Sequence, residues 1–348
     1  MPKVSVIIVN YNGERFLGEL FDSLARQVRR ADEVIMVDNA STDESVGYVR
    51  QHFSWVKVVV CPINHGFAEG ANIGVANTDG EYIALLNSDT VADARWLSEL
   101  VEALEGNESI AGADSKIYRA GEYPVIEEAG ASFNNLGYLW ALGFNQSDTG
   151  QFSSMTEVPA FTACAGLLRR RAFEGEPLFD ANLFMYNEEF DLTLRLRSRG
   201  YSIVFVPTSI VHHKGSLSVA QKSKKPLLFK RFYADRNRVK ILVKYYPISV
   251  LIRSLPLIVL SLAYGDWIFL RHGGPFSLIH AKTAQFRYAI EGLIERWKGH
   301  GVKAEMWLPW MENHGMWDML AFKGFRRPKG LMSFKDRLSK AKEKSLKV

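Results

Sequence analysis

Short apolar runs alternate with segments of helical spacing over the first ninety residues. The runs at residues 4–10, 33–37, 56–60 and 82–86 are mainly apolar, and polar residues or glycines follow each of them. Between the runs, apolar residues recur every three or four positions, as in a helix that packs one face against a sheet. Apolar strands that alternate with helices are typical of a mostly parallel sheet covered on both faces. The pattern therefore predicts an α/β fold.

Polar residues collect where the predicted strands end, which is where ligands bind in such sheets. An acid such as Asp38 at a strand end could accept the imide N–H of uracil or thymine. Residues 64–74 predict a loop rich in Gly and Asn that can approach a nucleotide closely. Caps and turns select the same residue types, so a purely structural role stays open for each. The residues at these strand ends that could contact a ligand are Asn10, Asp38, Asn64, Gly66, Asn72, Asn87, Ser88 and Asp89.

Two further groups could carry chemistry. Asp89 follows the fourth predicted strand and could hold a divalent cation against a diphosphate, with His213 as a second ligand. A predicted helix ended by Gly200 has three acids in its first turn, where the helix dipole favours them. One of these carboxylates could remove a proton from an attacking hydroxyl. The three acids are Glu188, Glu189 and Asp191.

Composition narrows the class of protein. The 348 residues are 47% hydrophobic and 23% charged, as in ordinary globular proteins, and include only two cysteines. Neither a disulfide scaffold nor a structural zinc site is indicated, and we expect a reducing compartment. No dinucleotide-binding glycine fingerprint and no P-loop motif occurs. The chain starts in a strand-like run without the features of a signal peptide, so we expect a cytoplasmic location.

Charge is unevenly distributed along the chain. Residues 1–220 carry a net charge of −12, whereas residues 221–244 and 323–348 carry +8 each. Basic blocks of this kind attract an anionic membrane leaflet, a phosphorylated lipid or nucleic acid, although a solvated surface has the same composition. The body is acidic and no motif that reads nucleic acid occurs, so we do not expect nucleic acid as a partner.

An apolar segment at residues 248–270 lies between the two basic blocks. Its only charges are Arg253 and Asp266, and Pro256 lies near its middle. The segment is long enough to cross a bilayer, but charges near the centre of a spanning helix are costly. The flanking basic residues favour an interfacial helix on a membrane surface, while a buried helix and a true span stay open. We expect residues 246–348 to be a helical, membrane-associating region.

The order of the motifs resembles one enzyme family. VSVIIVNYNG is followed by VDNASTD, NHGFAEGANIG, LLNSD, FMYNEEFDLTLR and VHHKGSLS. This succession, over roughly residues 3–245, resembles the family-2 glycosyltransferases of the GT-A fold, most of all the rhamnosyltransferase-like members that build surface polysaccharides. The resemblance implies a GT-A catalytic domain at residues 1–245, with a nucleotide-sugar half at 1–115 and an acceptor half at 116–245.

The resemblance also implies roles for individual residues. Asp38 would read the pyrimidine base, with Asn10 and Asn12 near the nucleotide and Asn64 and Asn72 beside the donor. Asn87-Ser88-Asp89 stands where the family has its metal-binding D-x-D motif, and Asn replaces the first acid, which leaves Asp89 as the carboxylate ligand. His213 would be the second protein ligand of a Mn²⁺ or Mg²⁺ ion.

The implied base is an acid of the predicted helix. Glu189 stands where the family usually has its catalytic Asp, so we expect Glu189 to be the base, with Glu188 and Asp191 as alternatives. The implied reaction is inverting transfer of a sugar from dTDP-rhamnose or a UDP-sugar to a hydroxyl of a glycan acceptor.

The resemblance and the basic, apolar region together suggest partners. We expect a lipid-diphosphate-linked acceptor and a peripheral position on the inner face of the cell membrane, with an anionic membrane surface as a partner. A homo-oligomer formed through residues 275–330 stays open. Two other functions are also considered, namely a sugar-nucleotide pyrophosphorylase and a non-catalytic module that binds a membrane surface or nucleic acid.

Overall fold

A mixed β-sheet forms the centre of the protein. The computed structural model describes residues 2–215, 226–298 and 303–313. The strands are β1 (Val4–Asn10), β2 (Glu33–Asp38), β3 (Lys57–Val60), β4 (Tyr82–Leu86), β5 (Thr90–Ala92), β6 (Ile110–Arg119), β7 (Val125–Ala129), β8 (Ala131–Phe133), β9 (Leu139–Ala141), β10 (Gln146–Ser147), β11 (Thr156–Glu157), β12 (Ala165–Arg169) and β13 (Ser202–His213). The sheet runs in the order β10-β7-β6-β12-β4-β1-β2-β3, while β13 pairs with β6, β5 and β11, and β8 pairs with β9 alone.

The first four strands confirm the sequence prediction. Strands β4, β1, β2 and β3 are parallel neighbours, with Asn10 of β1 opposite Asp38 of β2. Beyond β4 the sheet continues through antiparallel pairs, beginning with β12 against β4. The carboxyl ends of the parallel strands therefore lie along one edge, and the antiparallel strands extend the sheet beside them.

Helices cover both faces of this sheet. They are α1 (Glu14–Ala25), α2 (Ser45–His52), α3 (Gly66–Ala76), α4 (Trp96–Glu105), α5 (Glu188–Ser198), α6 (Pro226–Tyr245), α7 (Ile248–Trp297) and α8 (Ala304–Trp307). Because side chains alternate along a strand, Val6 and Ile8 of β1 pack with α1 and α4, whereas Ile7 packs in a second core with α3 and α5. Burial on both faces explains why the strands are continuously apolar.

The predicted loop rich in Gly and Asn is wrong, because residues 66–76 form helix α3. Its glycines lie at four-residue spacing and face β1. A Cβ added at Gly70 would lie 2.8 Å from a methyl carbon of Val9, and one at Gly74 would collide with Ile7. Gly70 and Gly74 therefore allow the helix to pack closely on the strand. Gly66, at the start of the helix with φ +80°, lines the cavity at the ends of the strands.

Helices α6 and α7 pack side by side, and the short α8 follows them within the described residues. Helix α6 ends at Tyr245, and α7 begins at Ile248 and extends well beyond the predicted apolar segment to Trp297. Gly274, with φ 78° and ψ 179°, interrupts α7 before Pro275. By length and composition α7 could cross a membrane, which for a single helix is weak support because core helices of soluble proteins satisfy the same criteria.

A third core joins these helices to the sheet. Phe133 of β8 packs against Phe190 of α5, and both belong to a cluster with Ile241 of α6 and Trp307 of α8. Helix α5 is therefore held from two sides, by the sheet and by α6. This arrangement fixes the first turn of α5, where the three predicted acids lie.

Candidate active site

A cavity of about 710 Å³ opens at the carboxyl ends of β1 and β4. Its floor is formed by residues that directly follow these strands, and its far wall by residues 184–189 at the start of α5. This is where a parallel sheet is expected to bind its ligand. The predicted site residues that line the cavity are Asn64, Gly66, Asn87, Ser88, Asp89, Glu188, Glu189 and His213.

The two predicted metal ligands lie side by side. Nε2 of His213, the last residue of β13, is 3.1 Å from Oδ1 of Asp89, which lies 124 residues earlier in the chain. Strand β5 brings them together, because it follows Asp89 directly and pairs antiparallel with the end of β13. Nδ1 of His213 is 2.8 Å from Oε1 of Glu127. Burial alone would lower the pKa of His213, but its hydrogen bonds to Asp89 and Glu127 raise that pKa to about 10.

These residues fit a divalent metal ion. Asp89 and His213 offer one carboxylate and one imidazole on the cavity wall, and the carboxylate of Glu127 orients the ring as the outer partner of a metal-binding histidine commonly does. Among the described residues no group of three or more His, Cys, Asp and Glu could hold a metal. A bound ion would therefore take its remaining ligands from a diphosphate and from water.

The predicted catalytic acids form a pair of interacting carboxyls. Glu188 and Glu189 both line the cavity, and their side chains share a hydrogen bond. Burial raises the pKa of both groups, and the neighbouring carboxylate raises that of Glu188 further. The pKa of Glu188 is raised more strongly, so Glu188 is the member of the pair that holds a proton more readily. A carboxylate with a raised pKa is a stronger base than an unperturbed one and is suited to accept a proton.

The backbone that leads into these acids is unusual. Phe184, Tyr186 and Asn187 all have positive φ angles of 66° to 68°, a conformation that costs a non-glycine residue about 1–3 kcal/mol. Asn237 of α6 holds the segment, since its fully buried Nδ2 lies 2.7–3.0 Å from the carbonyl oxygens of residues 183, 185 and 186. In addition, Nδ2 of Asn187 donates to the carbonyl of Ala234 at 3.0 Å. Helix α6 therefore determines where α5 starts.

The structure places Asp191, the third predicted acid, away from the cavity. Its buried carboxylate accepts hydrogen bonds from Arg195 at 2.9 Å, Lys244 at 2.9 Å and the Tyr245 hydroxyl at 2.6 Å. Burial opposes ionisation, but the two cations and the hydroxyl outweigh it and hold the pKa of Asp191 well below its usual range. A strongly ion-paired carboxylate is a weak base, so this position favours a structural role that ties α5 to α6.

Four predicted donor residues also lie outside the cavity lining. The buried Asp38 carboxylate accepts hydrogen bonds from Asn10 Nδ2 at 3.0 Å and from the backbone N–H of Ser41 at 2.9 Å. Asn12 accepts from backbone N–H groups of residues 42 and 43. Asn72 exchanges hydrogen bonds with the backbone of Phe179 at 2.9 Å. In this structure all four shape the turns after β1 and β2 and the position of α3.

Several cavity residues were missed by the sequence analysis. Tyr11 and Asn39 directly follow predicted site residues, so their positions carried a signal, and Asn39 Nδ2 donates to the carbonyl of Gly66 at 2.7 Å. Glu128 ends β7, carries no motif, and hydrogen-bonds Thr162. Burial raises the pKa of Glu128 to about 8. Four aromatic residues also line the cavity: Trp140, Phe184, Tyr186 and Phe229.

The cavity is rich in carboxyl groups. Asp89 and Glu189 contribute carboxylates, the raised pKa values of Glu128 and Glu188 favour their neutral forms, and His213 is the cationic side chain among the lining residues. An anionic diphosphate would be repelled here unless a divalent cation accompanied it. The opposite wall is apolar and aromatic, as in sites that hold an uncharged ring between a few polar groups.

Fold and cavity together define a GT-A-type nucleotide-sugar transferase fold with its ligand cavity at the carboxyl ends of the parallel strands. Residues 5–175 match the model described as glycosyl transferase family 2, and this part of the chain belongs to that family. The prediction of the family from the order of the motifs is thereby confirmed.

Individual relatives agree with this assignment. The chain is 30% identical over 144 residues to an uncharacterised glycosyltransferase of Haemophilus influenzae, which covers 40% of this chain and 43% of that protein. It is 27% identical over 226 residues to the O-antigen biosynthesis protein RfbC of Myxococcus xanthus, covering 62% of this chain and 18% of that protein. The chain thus spans less than half the length of these curated relatives.

A solved structure shows the same fold. The crystal structure of GalNAc-T7 with UDP, GalNAc and Mn²⁺ superposes with a TM-score of 0.57 at 16% identity, over 88% of this chain and 58% of that one. At this level of identity the similarity concerns the fold alone.

Proposed function

We propose that this protein is a metal-dependent, inverting glycosyltransferase that moves a sugar from a pyrimidine nucleotide-diphospho-sugar to a hydroxyl of a glycan acceptor. The observation that carries the proposal is that one cavity brings together the Asp89–His213 pair and the Glu188–Glu189 pair. The first pair suits a metal-bound diphosphate and the second suits deprotonation of a hydroxyl. Donors of the dTDP-rhamnose and UDP-sugar classes both remain candidates.

The residues of this chain divide the work between them. Asp89 and His213 would hold the Mn²⁺ or Mg²⁺ ion, with Glu127 orienting the imidazole. When bound, such an ion neutralises the charge that grows on the departing nucleoside diphosphate. Glu189 accepts the proton of the acceptor hydroxyl as its oxygen attacks the anomeric carbon from the face opposite the leaving group. Glu188, which holds its own proton, keeps Glu189 ionised and correctly placed.

The apolar wall suits the sugar rings. Trp140 and Tyr186 offer faces on which a pyranose can stack while its hydroxyls reach the polar side of the cavity. Aromatic residues Phe184 and Phe229 extend this wall toward α6. The names of relatives, such as an O-antigen biosynthesis protein, support a role in surface polysaccharide synthesis. We propose that the acceptor is carried on a lipid diphosphate.

Donor binding can be tested by thermal shift with UDP, dTDP, GDP and ADP, each with Mn²⁺ and with EDTA. We expect UDP or dTDP to raise the melting temperature, and EDTA to abolish the shift. Asp89→Ala should lose the metal-dependent shift, whereas Asp22→Ala on an exposed position of α1 should keep it. No shift with any nucleotide, or an unchanged shift in Asp89→Ala, would contradict the proposed site.

The base can be tested separately with Glu189→Gln. This variant should keep the nucleotide-dependent thermal shift but lose roughly 10²–10⁴-fold in transfer rate, the usual contribution of a general base. Glu174→Gln, at an exposed position, is the matched control. Normal turnover by Glu189→Gln would remove Glu189 from the mechanism while leaving the donor site intact.

A further inference from the structure

One surface of the protein is strongly enriched in exposed apolar side chains. Of 25 large hydrophobic residues that are exposed in the described part of the chain, 15 lie on α7. Each of these side chains has a total area of about 200 Å² and is roughly half exposed. Together they expose on the order of 1,500 Å², far more than the few hundred Å² usual on a soluble monomer. We call this surface the α7 outer face; its most exposed members are Ile248, Ile252, Phe276, Ile279, Phe286 and Trp297.

The other face of α7 is fastened to the body of the protein along both halves of the helix. Near its start, Ser254 Oγ accepts a hydrogen bond from Asn135 at 2.8 Å. Near its end, Arg296 donates to the carbonyls of Val243 and Tyr246 at 2.7 and 2.8 Å. Between these points, Gly292 lets α7 approach the α6 backbone so closely that a Cβ would lie 2.8 Å from a carbonyl oxygen.

This attachment bears on the three interpretations of the apolar segment. Gly274 divides α7 into two helical segments, and contacts at Ser254 in the first and at Gly292 and Arg296 in the second hold both against the protein. Segments packed in this way are not a free-standing bilayer span, and only 22% of the most apolar stretch of α7 is buried, so it is not a core helix either. The remaining arrangement is a pair of helical segments that each have one face on the protein and one face open.

The charges on α7 indicate what covers the open face. All three of its carboxylates are ion-paired: Asp266 with Lys282 at 2.8 Å and Glu291 with Arg287 at 3.0 Å, both within α7, and Glu295 with the buried Lys240 of α6 at 2.7 Å. The exposed charges beside the apolar residues are therefore mainly basic, and include Arg253, Arg271 and Lys298. An apolar face bordered by basic side chains complements an anionic lipid surface.

We propose that the α7 outer face is a membrane-docking surface that inserts its apolar side chains into the interface of an anionic lipid leaflet while α7 lies parallel to it. Trp267 is half-exposed and Trp297 is almost fully exposed. Tryptophan prefers the level of the lipid headgroups. Arg271, which lies over the ring of Trp267 at 5.6 Å, would face the phosphates. Docking does not depend on the reaction in the cavity.

Vesicle flotation of the full chain tests this surface without a sugar donor. The decisive variant combines Phe276→Glu, Phe286→Glu and Trp297→Glu, at positions that are 69–96% exposed and so should not affect folding. The control combines Val28→Glu, Ile63→Glu and Met155→Glu, which add the same charge at exposed apolar positions elsewhere. Vesicles of phosphatidylcholine alone are compared with vesicles that also contain phosphatidylglycerol.

We expect the wild-type chain and the control to float with the anionic vesicles, and the α7 variant to lose at least about tenfold in partitioning. Binding should weaken without phosphatidylglycerol and at high salt. Equal flotation of the wild-type chain and the α7 variant would overturn the proposal. It would also be overturned if neither binds vesicles and the wild-type chain sediments as a dimer that the α7 variant loses, since the face would then bind a second copy.

Discussion

Replacing Asn237 by Ala tests whether α6 positions the catalytic acids. The Asn237 amide holds three carbonyl oxygens of the segment that enters α5, and this segment contains the positive-φ residues Phe184, Tyr186 and Asn187. The amide has two hydrogens, so about two hydrogen bonds are lost and buried carbonyls are left unpaired. At about 1 kcal/mol for each bond and 1–3 kcal/mol for the stranded groups, unfolding should become easier by roughly 3 kcal/mol.

The substitution should also slow catalysis in the folded protein. Without Asn237 the strained segment can relax, which shifts the first turn of α5 and with it Glu188 and Glu189. A displacement of about 1 Å in a catalytic group can cost on the order of 10²-fold in rate. We therefore expect kcat to fall about 10- to 100-fold in Asn237→Ala, while the KM for the donor changes little, because Asp89 and His213 lie on other elements.

Arg170→Ala provides a control of the same kind. Arg170 donates to the backbone carbonyls of Gly80 and Thr78 at 2.6 and 2.9 Å but does not line the cavity. Its loss should lower the melting temperature and leave kcat within about twofold of the wild-type value at a temperature where the variant is folded. The assay is steady-state transfer with the donor identified by thermal shift, together with a melting curve. Equal loss of kcat in the two variants, or none in Asn237→Ala, would refute the positioning role.

Three further predictions address the surroundings of the site. Asp191→Asn should lower the stability by about 1.5–3 kcal/mol, because the buried Lys244 and Arg195 each lose a charged hydrogen-bond partner while keeping Glu295 and Glu176, yet should keep nucleotide-dependent thermal shifts in the folded protein; transfer abolished at full stability would instead identify Asp191 as the base. Glu127→Ala should weaken Mn²⁺ binding about 10–100-fold in calorimetric titration, because His213 loses its orienting partner, and unchanged affinity would exclude this role. Burial opposes ionisation of Asp148, but its hydrogen bonds lower its pKa to about 2. Its contribution to the free energy of unfolding is therefore complete above the ordinary pKa near 4 and is lost as pH falls toward 2. The difference in urea midpoint between Asp148→Asn and wild type should shrink over that range, and a difference that grows would contradict the assignment.

Much of the nucleotide half of the fold could be predicted from the sequence, because its strands are buried on both faces and read as continuous apolar runs. Helix α3 was misinterpreted for a physical reason. Glycine commonly marks loops, but at positions 70 and 74 it provides the space in which a helix packs closely on β1. The spacing of four residues between these glycines was the available signal.

The candidate site was predictable where a motif marks a strand end and not where tertiary structure alone brings residues together. Asp89 and His213 were chosen separately, by position and by resemblance, and the pairing of β5 with β13 joins them. Glu127 and Glu128 lie near the end of β7, whose neighbours are set by long-range pairing, and neither was assigned a role from the sequence. The three acids of α5 look equivalent in the sequence, and only the ion pairs of Asp191 distinguish it from the other two.

The burial of Lys240 has a consequence for attempts to divide this protein. Its ammonium group, in a side chain only 1% exposed, lies 2.6 Å from Asp180, 2.7 Å from Glu295 and 3.8 Å from Glu291. A fragment that stopped after residue 245 would keep the lysine and lose two of its three carboxylates, together with the apolar cover that α7 gives to α6. Expression of an enzyme shortened in this way should therefore yield insoluble material.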